Sequence, residues 1–230
     1  MFDGTFRKPV DAAVKPLGAA LRKTGLSPDA LTVLGLLVGV GAAVAVGSGR
    51  LLLGLVLVIL AALPDLLDGA LAKASDTSSQ RGAFFDSTVD RVTDTFLLGG
   101  IAWYFATDEQ FSGQLAMLPF AIAGVSSLIS YQRAKAESLG IDAKGGLMER
   151  AERIIAICVG LAFSALLIPI LWAMLVLTSI TAIQRFVKVW RQAAVAPVTQ
   201  ARIEMRRSRR QSRRVARTER RRTRVPRRRP

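Results

Sequence analysis

A chain of 230 residues that is 51 % hydrophobic, with a mean hydropathy of +0.35, is too apolar for an ordinary soluble domain. It contains no histidine, which excludes histidine-ligated zinc, imidazole bases and Ser-His-Asp triads, and its single cysteine, Cys158, excludes a disulfide framework. The formal net charge of +15 sits mostly at one end, because residues 201–230 carry fifteen arginines and two glutamates, net +13.

Residues 1–25 spread their charges through weakly apolar spacing and lack the compact apolar core of a cleavable signal. They predict an amphipathic interfacial helix with Lys15, Arg22 and Lys23 towards lipid headgroups. Ser27 and Pro28 then make a good helix start, as cap and first helical position. Apolar runs follow at 31–46, 51–63, 96–105, 115–129 and 154–183. A spanning helix needs about 20 mostly apolar residues. The runs with their flanks predict six transmembrane helices, near 28–47, 51–74, 82–106, 114–138, 149–168 and 170–192, with Pro169 dividing the last two. Apolar residues occur all round these segments, which argues against a soluble helical core. The expected fold is therefore an all-α integral membrane protein of six transmembrane helices preceded by an interfacial helix.

Basic residues alternate between the connections. The N-terminus, the second connection (Lys73, Arg81), the fourth (Arg133, Lys135, Lys144, Arg150, Arg153) and the C-terminus are basic, whereas the opposite connections carry only Arg50. By the positive-inside rule both ends lie in the cytoplasm, across the plasma (inner) membrane. The chain divides into the interfacial segment 1–25, a membrane domain 26–193 and a tail 194–230. The tail is too charged to pack and is expected to be disordered. It suits a solvated stretch that reinforces topology, or adhesion to anionic lipid. Nucleic acid is disfavoured, because no aromatic side chain interrupts the tail to stack on bases.

Residues 64–94 hold six aspartates between apolar segments. Carboxylates within spanning helices cost roughly 3 kcal/mol each, so such a cluster points to function. Asp65 and Asp68 lie about 60° apart on one helical face, and Asp86 and Asp90 about 40° apart on another. A short polar turn between the helices would let the pairs face each other. Their mutual repulsion calls for cations, and all-oxygen donors favour Mg²⁺, Mn²⁺ or Ca²⁺. Divalent ions at a cytoplasmic mouth suit pyrophosphate chemistry. Gly69, Ala70, Ala72, Gly82 and Ala83 leave room for a ligand or for close helix approach. Asp76 lies in the polar turn, and Asp94 sits one turn beyond Asp90 with no role assigned.

The spacing Asp65-x2-Asp68-Gly69-x2-Ala72-Lys73-x8-Gly82-x3-Asp86-x3-Asp90 resembles the signature of the CDP-alcohol phosphatidyltransferases. Lys73 stands where that family usually has arginine, keeping the charge without the bidentate fork. The resemblance implies a homodimer in which Asp65, Asp68, Asp86 and Asp90 hold two divalent ions, Mg²⁺ or Mn²⁺. It makes Asp90 also the catalytic base, drawing a proton from an acceptor hydroxyl that attacks a CDP-linked lipid and expels CMP. It places Asp29, Ala30, Leu31, Thr32, Gly69, Lys73 and Ser79 in the CDP-diacylglycerol pocket.

Residues 130–153 resemble, within that family, the actinobacterial phosphatidylinositol-phosphate synthases, with their "SY-x-K-A-R-x-E" and "ER-x-ER" patterns. Arg133 and Lys135 stand in swapped order relative to that pattern. The resemblance assigns Ser130, Arg133, Arg153 and Arg185 to the phosphate of a phosphorylated polyol, inositol phosphate first and glycerol 3-phosphate second. A divalent-cation transporter is the reading from another class, but the glycine-spaced register at one edge argues against a through-pathway. A non-catalytic scaffold would leave the aspartates unexplained.

Overall fold

The computed structural model describes residues 28–62, 80–143 and 145–194. The expected interfacial helix 1–25, residues Asp65, Asp68, Gly69, Lys73, Ser79 and Lys144, and the arginine tail lie outside them. The described residues form α1 (Pro28–Gly47), α2 (Leu51–Ala62), α3 (Gln80–Thr107), a 3₁₀ turn (Gly113–Ala116), α4 (Met117–Ser138), α5 (Arg150–Ala162) and α6 (Ser164–Ala193). No strand occurs among them. Segments Asp29–Gly47, Gly113–Ser138 and Ser164–Ala193 are long and apolar enough to cross a membrane. Large apolar side chains such as Leu37, Val44, Trp103, Phe120, Trp172 and Ile183 point outwards, as lipid-facing residues do.

Glycine terminates two helices in the same way. After α1, Gly49 takes φ +76°, its N–H donates to the Val46 carbonyl (2.9 Å), and the Arg50 N–H reaches the Ala45 carbonyl (3.0 Å). After α4, Gly140 at φ +70° donates to the Glu137 carbonyl (3.0 Å), and the Ile141 N–H reaches that of Ala136 (2.9 Å). Both are Schellman ends, which need a left-handed residue that glycine adopts without a Cβ penalty. The second packs Ile141 onto Ala136 and sends the chain back along α6.

Helix α3 lies most closely on α1. Gly39, Ala43 and Gly47, spaced by four, meet Thr93, Gly100 and Trp103, so the two backbones approach where side chains are smallest. Beyond this seam Ala42, Val46, Leu97, Leu98, Ile101 and Phe105 join Ile122, Leu161, Leu167 and Leu171 in one core. The Phe105 and Phe111 rings meet edge to face at 5.0 Å.

The chain does not break at Pro169, as the sequence suggested. It turns at Phe163 (φ −124°, ψ 86°), and Pro169 lies within α6. A proline this near a helix start removes a single ladder donor, which a membrane helix tolerates. Across this turn Gly160 packs closely on Leu167, whose Cδ1 would lie 2.8 Å from a Cβ added there.

The α1–α3 seam makes a direct prediction. A methyl group at Gly100 would collide with the backbone carbonyl of Ala43, whereas one at Gly99 would meet nothing within 4 Å. Gly100→Ala should destabilise by about 1–3 kcal/mol, the usual range for overpacking, and lower the melting temperature in detergent. Gly99→Ala should leave it unchanged or slightly raised. Equal melting of the two variants would refute the seam.

Candidate active site

Three aspartates, Asp86, Asp90 and Asp94, follow one another at intervals of one turn along α3, and their burial deepens in that order. Asp86 is exposed, Asp90 is partly covered, and the Asp94 side chain is only 9 % exposed. Opposite them α5 begins with a capping box. The Glu152 carboxylate accepts the Glu149 N–H (3.1 Å), and the Glu149 side chain accepts the backbone N–H of Glu152. This cap sets the first turn of α5 and thereby directs Arg150 and Arg153, one turn apart, at the α3 carboxylates.

The result is an ion-pair ladder. Arg150 Nη1 lies 2.9 Å from Asp90 Oδ1, and Arg153 Nη2 donates to Asp94 Oδ2 at 2.8 Å. Arg150 Nε also donates to Asp94 Oδ1 at 3.3 Å, joining the two rungs. Arg91, on α3 itself, adds a looser contact of 3.8 Å to Asp94. The Arg153 side chain is only 4 % exposed, so neither it nor Asp94 can rely on water to carry its charge. Deleting one partner of such a buried pair strands the other at a cost of about 3–5 kcal/mol.

Arg185 of α6 is equally buried and holds the α4–α5 segment in place. Its Nη1 donates to the Ile129 carbonyl (3.0 Å), its Nη2 donates to that of Gly145 (3.1 Å), and Glu149 lies 3.7 Å away. Its Nε finds no hydrogen-bond partner among the described residues. The Met148 N–H donates to Thr181 Oγ1 (3.0 Å), while Lys188 and Gln192 bind the side chain and carbonyl of Asp142. Arg133 pairs with Glu137 at 2.9 Å, and with both groups about half exposed the pair constrains little. Ser130 Oγ donates to the Ser126 carbonyl of its own helix (2.9 Å).

At the start of α1, Asp29 reaches Arg81 of α3 at 3.5 Å, with both groups largely exposed. Ala30 is exposed, and Leu31 and Thr32 are buried. The structure thus brings Asp90, Arg153 and, beyond the cap, Arg185 into one region, with Asp86 a turn outwards. Sequence reasoning left Asp94 without a role and read Arg150 only as part of a basic group. The pairing across two helices that joins them has no signature in a linear spacing. Its one sequence signal is that Asp94 continues the four-residue rhythm into an apolar segment.

Comparison with known proteins places this arrangement. The CDP-alcohol phosphatidyltransferase family model matches residues 26–197. The phosphatidylinositol phosphate synthase of Streptomyces avermitilis is 37 % identical over 199 residues, covering 81 % of each chain. The crystal structure of the Mycobacterium tuberculosis phosphatidylinositol phosphate synthase with CDP-DAG bound is similar with a TM-score of 0.71 at 32 % identity, covering 77 % of this chain and 93 % of that one. The structure of the same mycobacterial enzyme in complex with manganese and citrate gives a TM-score of 0.72 at 31 % identity, covering 77 % and 88 %. With the α3 aspartates and the α5 arginines both inside the matched region, this chain belongs to the CDP-alcohol phosphatidyltransferase family, a family of membrane enzymes.

Proposed function

We propose that the protein transfers the phosphatidyl group of CDP-diacylglycerol to a hydroxyl of inositol phosphate, giving phosphatidylinositol phosphate and CMP. The observation that carries this reading is the placement of the α3 carboxylates beside Arg150 and Arg153 of α5, with Arg185 of α6 against Glu149 at the cap of the same helix. Carboxylates suit the metal-dependent half of such a reaction, and guanidinium groups suit an acceptor that carries its own phosphate. Similarity to phosphatidylinositol phosphate synthases favours inositol phosphate over glycerol 3-phosphate.

The donor set fits a hard divalent cation. Asp86 and Asp90 present oxygens one turn apart at the outer end of the α3 line, and the one thiol, Cys158, packs against the hydrophobic core. Among the described residues no three ligand-type side chains converge, and the remaining pair, Asp65 and Asp68, lies outside them. In this reading Asp65, Asp68, Asp86 and Asp90 hold two ions, Mg²⁺ or Mn²⁺. When bound, such ions neutralise the pyrophosphate and stabilise the departing CMP.

The residues of the chain divide the remaining work. Asp29, Ala30, Leu31, Thr32, Gly69, Lys73 and Ser79 bind the CDP-lipid. Ser130, Arg133, Arg153 and Arg185 take the acceptor phosphate. Asp90 accepts the proton of the attacking hydroxyl. The acceptor's hydroxyl oxygen, freed of that proton, bonds to the lipid-bearing phosphorus, and the bond from that phosphorus to CMP breaks. The same reading completes the architecture: six spans, an interfacial helix at 1–25, the membrane domain 26–193 as a homodimer, and a disordered tail 194–230 suited to anionic lipid. Both ends and the site face the cytoplasm across the plasma membrane.

The test is CMP release by the detergent-purified protein supplied with CDP-diacylglycerol and Mn²⁺ or Mg²⁺. Inositol phosphate should support turnover well above inositol or glycerol 3-phosphate; no release with any of them would end the reading. Asp90→Asn should lower kcat by about 10²–10⁴-fold, the usual contribution of a positioned base, while CDP-diacylglycerol still binds. EDTA should abolish turnover, and Mn²⁺ or Mg²⁺ should restore it. Full activity after exhaustive chelation would show that the carboxylates serve another purpose.

A further inference from the structure

Asp94 lies outside the aspartate signature, yet it is the most buried carboxylate of the α3 line and meets three guanidinium groups, those of Arg91, Arg150 and Arg153. We propose that Asp94 is a positioning residue for the acceptor, fixing Arg153 and Arg150 so that the acceptor phosphate is held in register with Asp90. This rests on the reading of Arg153 and Asp90 given under Proposed function.

Three observations support it. Arg153 is nearly inaccessible, and its Nη2 donates to Asp94 at 2.8 Å, so its direction is set by that carboxylate. Arg150 touches Asp94 through Nε and Asp90 through Nη1, which makes a continuous path from Arg153 through Asp94 and Arg150 to Asp90. A group that merely neutralised Arg153 would need only the first contact. The second ties the arginine that takes phosphate to the carboxylate that takes the proton. Guanidinium is planar and its donors are fixed in a fork, so two carboxylate partners determine its orientation as well as its place. A phosphorylated acceptor would gain from this order, whereas an unphosphorylated polyol would gain little.

The test uses the full chain, purified in detergent, with CDP-diacylglycerol, Mn²⁺ and inositol phosphate, each substrate varied in turn. Asp94→Asn should raise KM for inositol phosphate about tenfold or more, and leave KM for CDP-diacylglycerol within about twofold, since uniform binding of one substrate is what is lost. Its preference for inositol phosphate over inositol should shrink in proportion. Asp94→Asn combined with Arg153→Gln should be no worse than the poorer single variant, because coupled residues are not additive. Asp94→Glu keeps the charge but moves it by one methylene, and should give an intermediate acceptor KM. If Asp94→Asn does not accumulate, the Glu variant decides alone: a raised acceptor KM with an unchanged lipid KM supports the proposal. Unchanged KM for both substrates, with only a lower melting temperature or active fraction, would reduce Asp94 to a structural ion pair and overturn it. Multiplicative losses in the double variant would overturn it as well. A wild-type protein that releases no CMP would instead remove the underlying reading, so the two failures are distinct.

Discussion

A carboxylate inside an apolar helix bundle must be met by a cation, and the pairing of Asp94 with Arg153 is where this chain meets that demand. The contact is only 2.8 Å and both side chains are buried, so it constrains the relative position of α3 and α5 far more than an exposed pair would. Once Asp94 and Arg153 are joined, helical periodicity brings Arg150 opposite Asp90, one turn along each helix. The outer rung is partly open, and the inner rung is closed. That gradient leaves Asp90 partly open to a ligand, while Asp94 is occupied in holding the arginines.

The remaining helices keep this ladder aligned. The seam of Gly39, Ala43 and Gly47 brings α1 against the backbone of α3, so the helix bearing the aspartates is held by close backbone approach. On the other flank, the Schellman end at Gly140 and the grip of Arg185 on the Gly145 carbonyl return the chain to the capping box of α5. Arg185 ties α6 to helix α4 through Ile129 and to the turn at Gly145, and its Nε has no partner among the described residues. A buried donor without a partner costs stability, and a site that receives an anion is a reason to keep one.

Much of this was legible in the sequence because membrane helices and the aspartate signature both follow strict spacing. The apolar runs located α1, α4 and α6, and the four-residue rhythm placed Asp86 and Asp90 on one face of α3. Pro169 misled, because proline reads as a break in water-soluble chains, whereas the chain turns at Phe163, which carries no local turn signal. Asp94 was visible only as an unexplained charge. Its meaning comes from arginines 56 and 59 residues further on, and contacts at such separation are fixed by tertiary packing.

In the proposed reaction these carboxylates and arginines serve one step, passage of the phosphatidyl group from CMP to an acceptor hydroxyl. Isotope tracing tests it most directly. With inositol phosphate carrying ¹⁸O in its hydroxyl groups, and CDP-diacylglycerol unlabelled, mass spectrometry of both products follows the bond that forms. The account predicts that the product lipid is a phosphatidylinositol phosphate with the labelled oxygen at its new bridge, and that the CMP is unlabelled. A cytidine product that carries the inositol oxygen, or a lipid product without it, would contradict it.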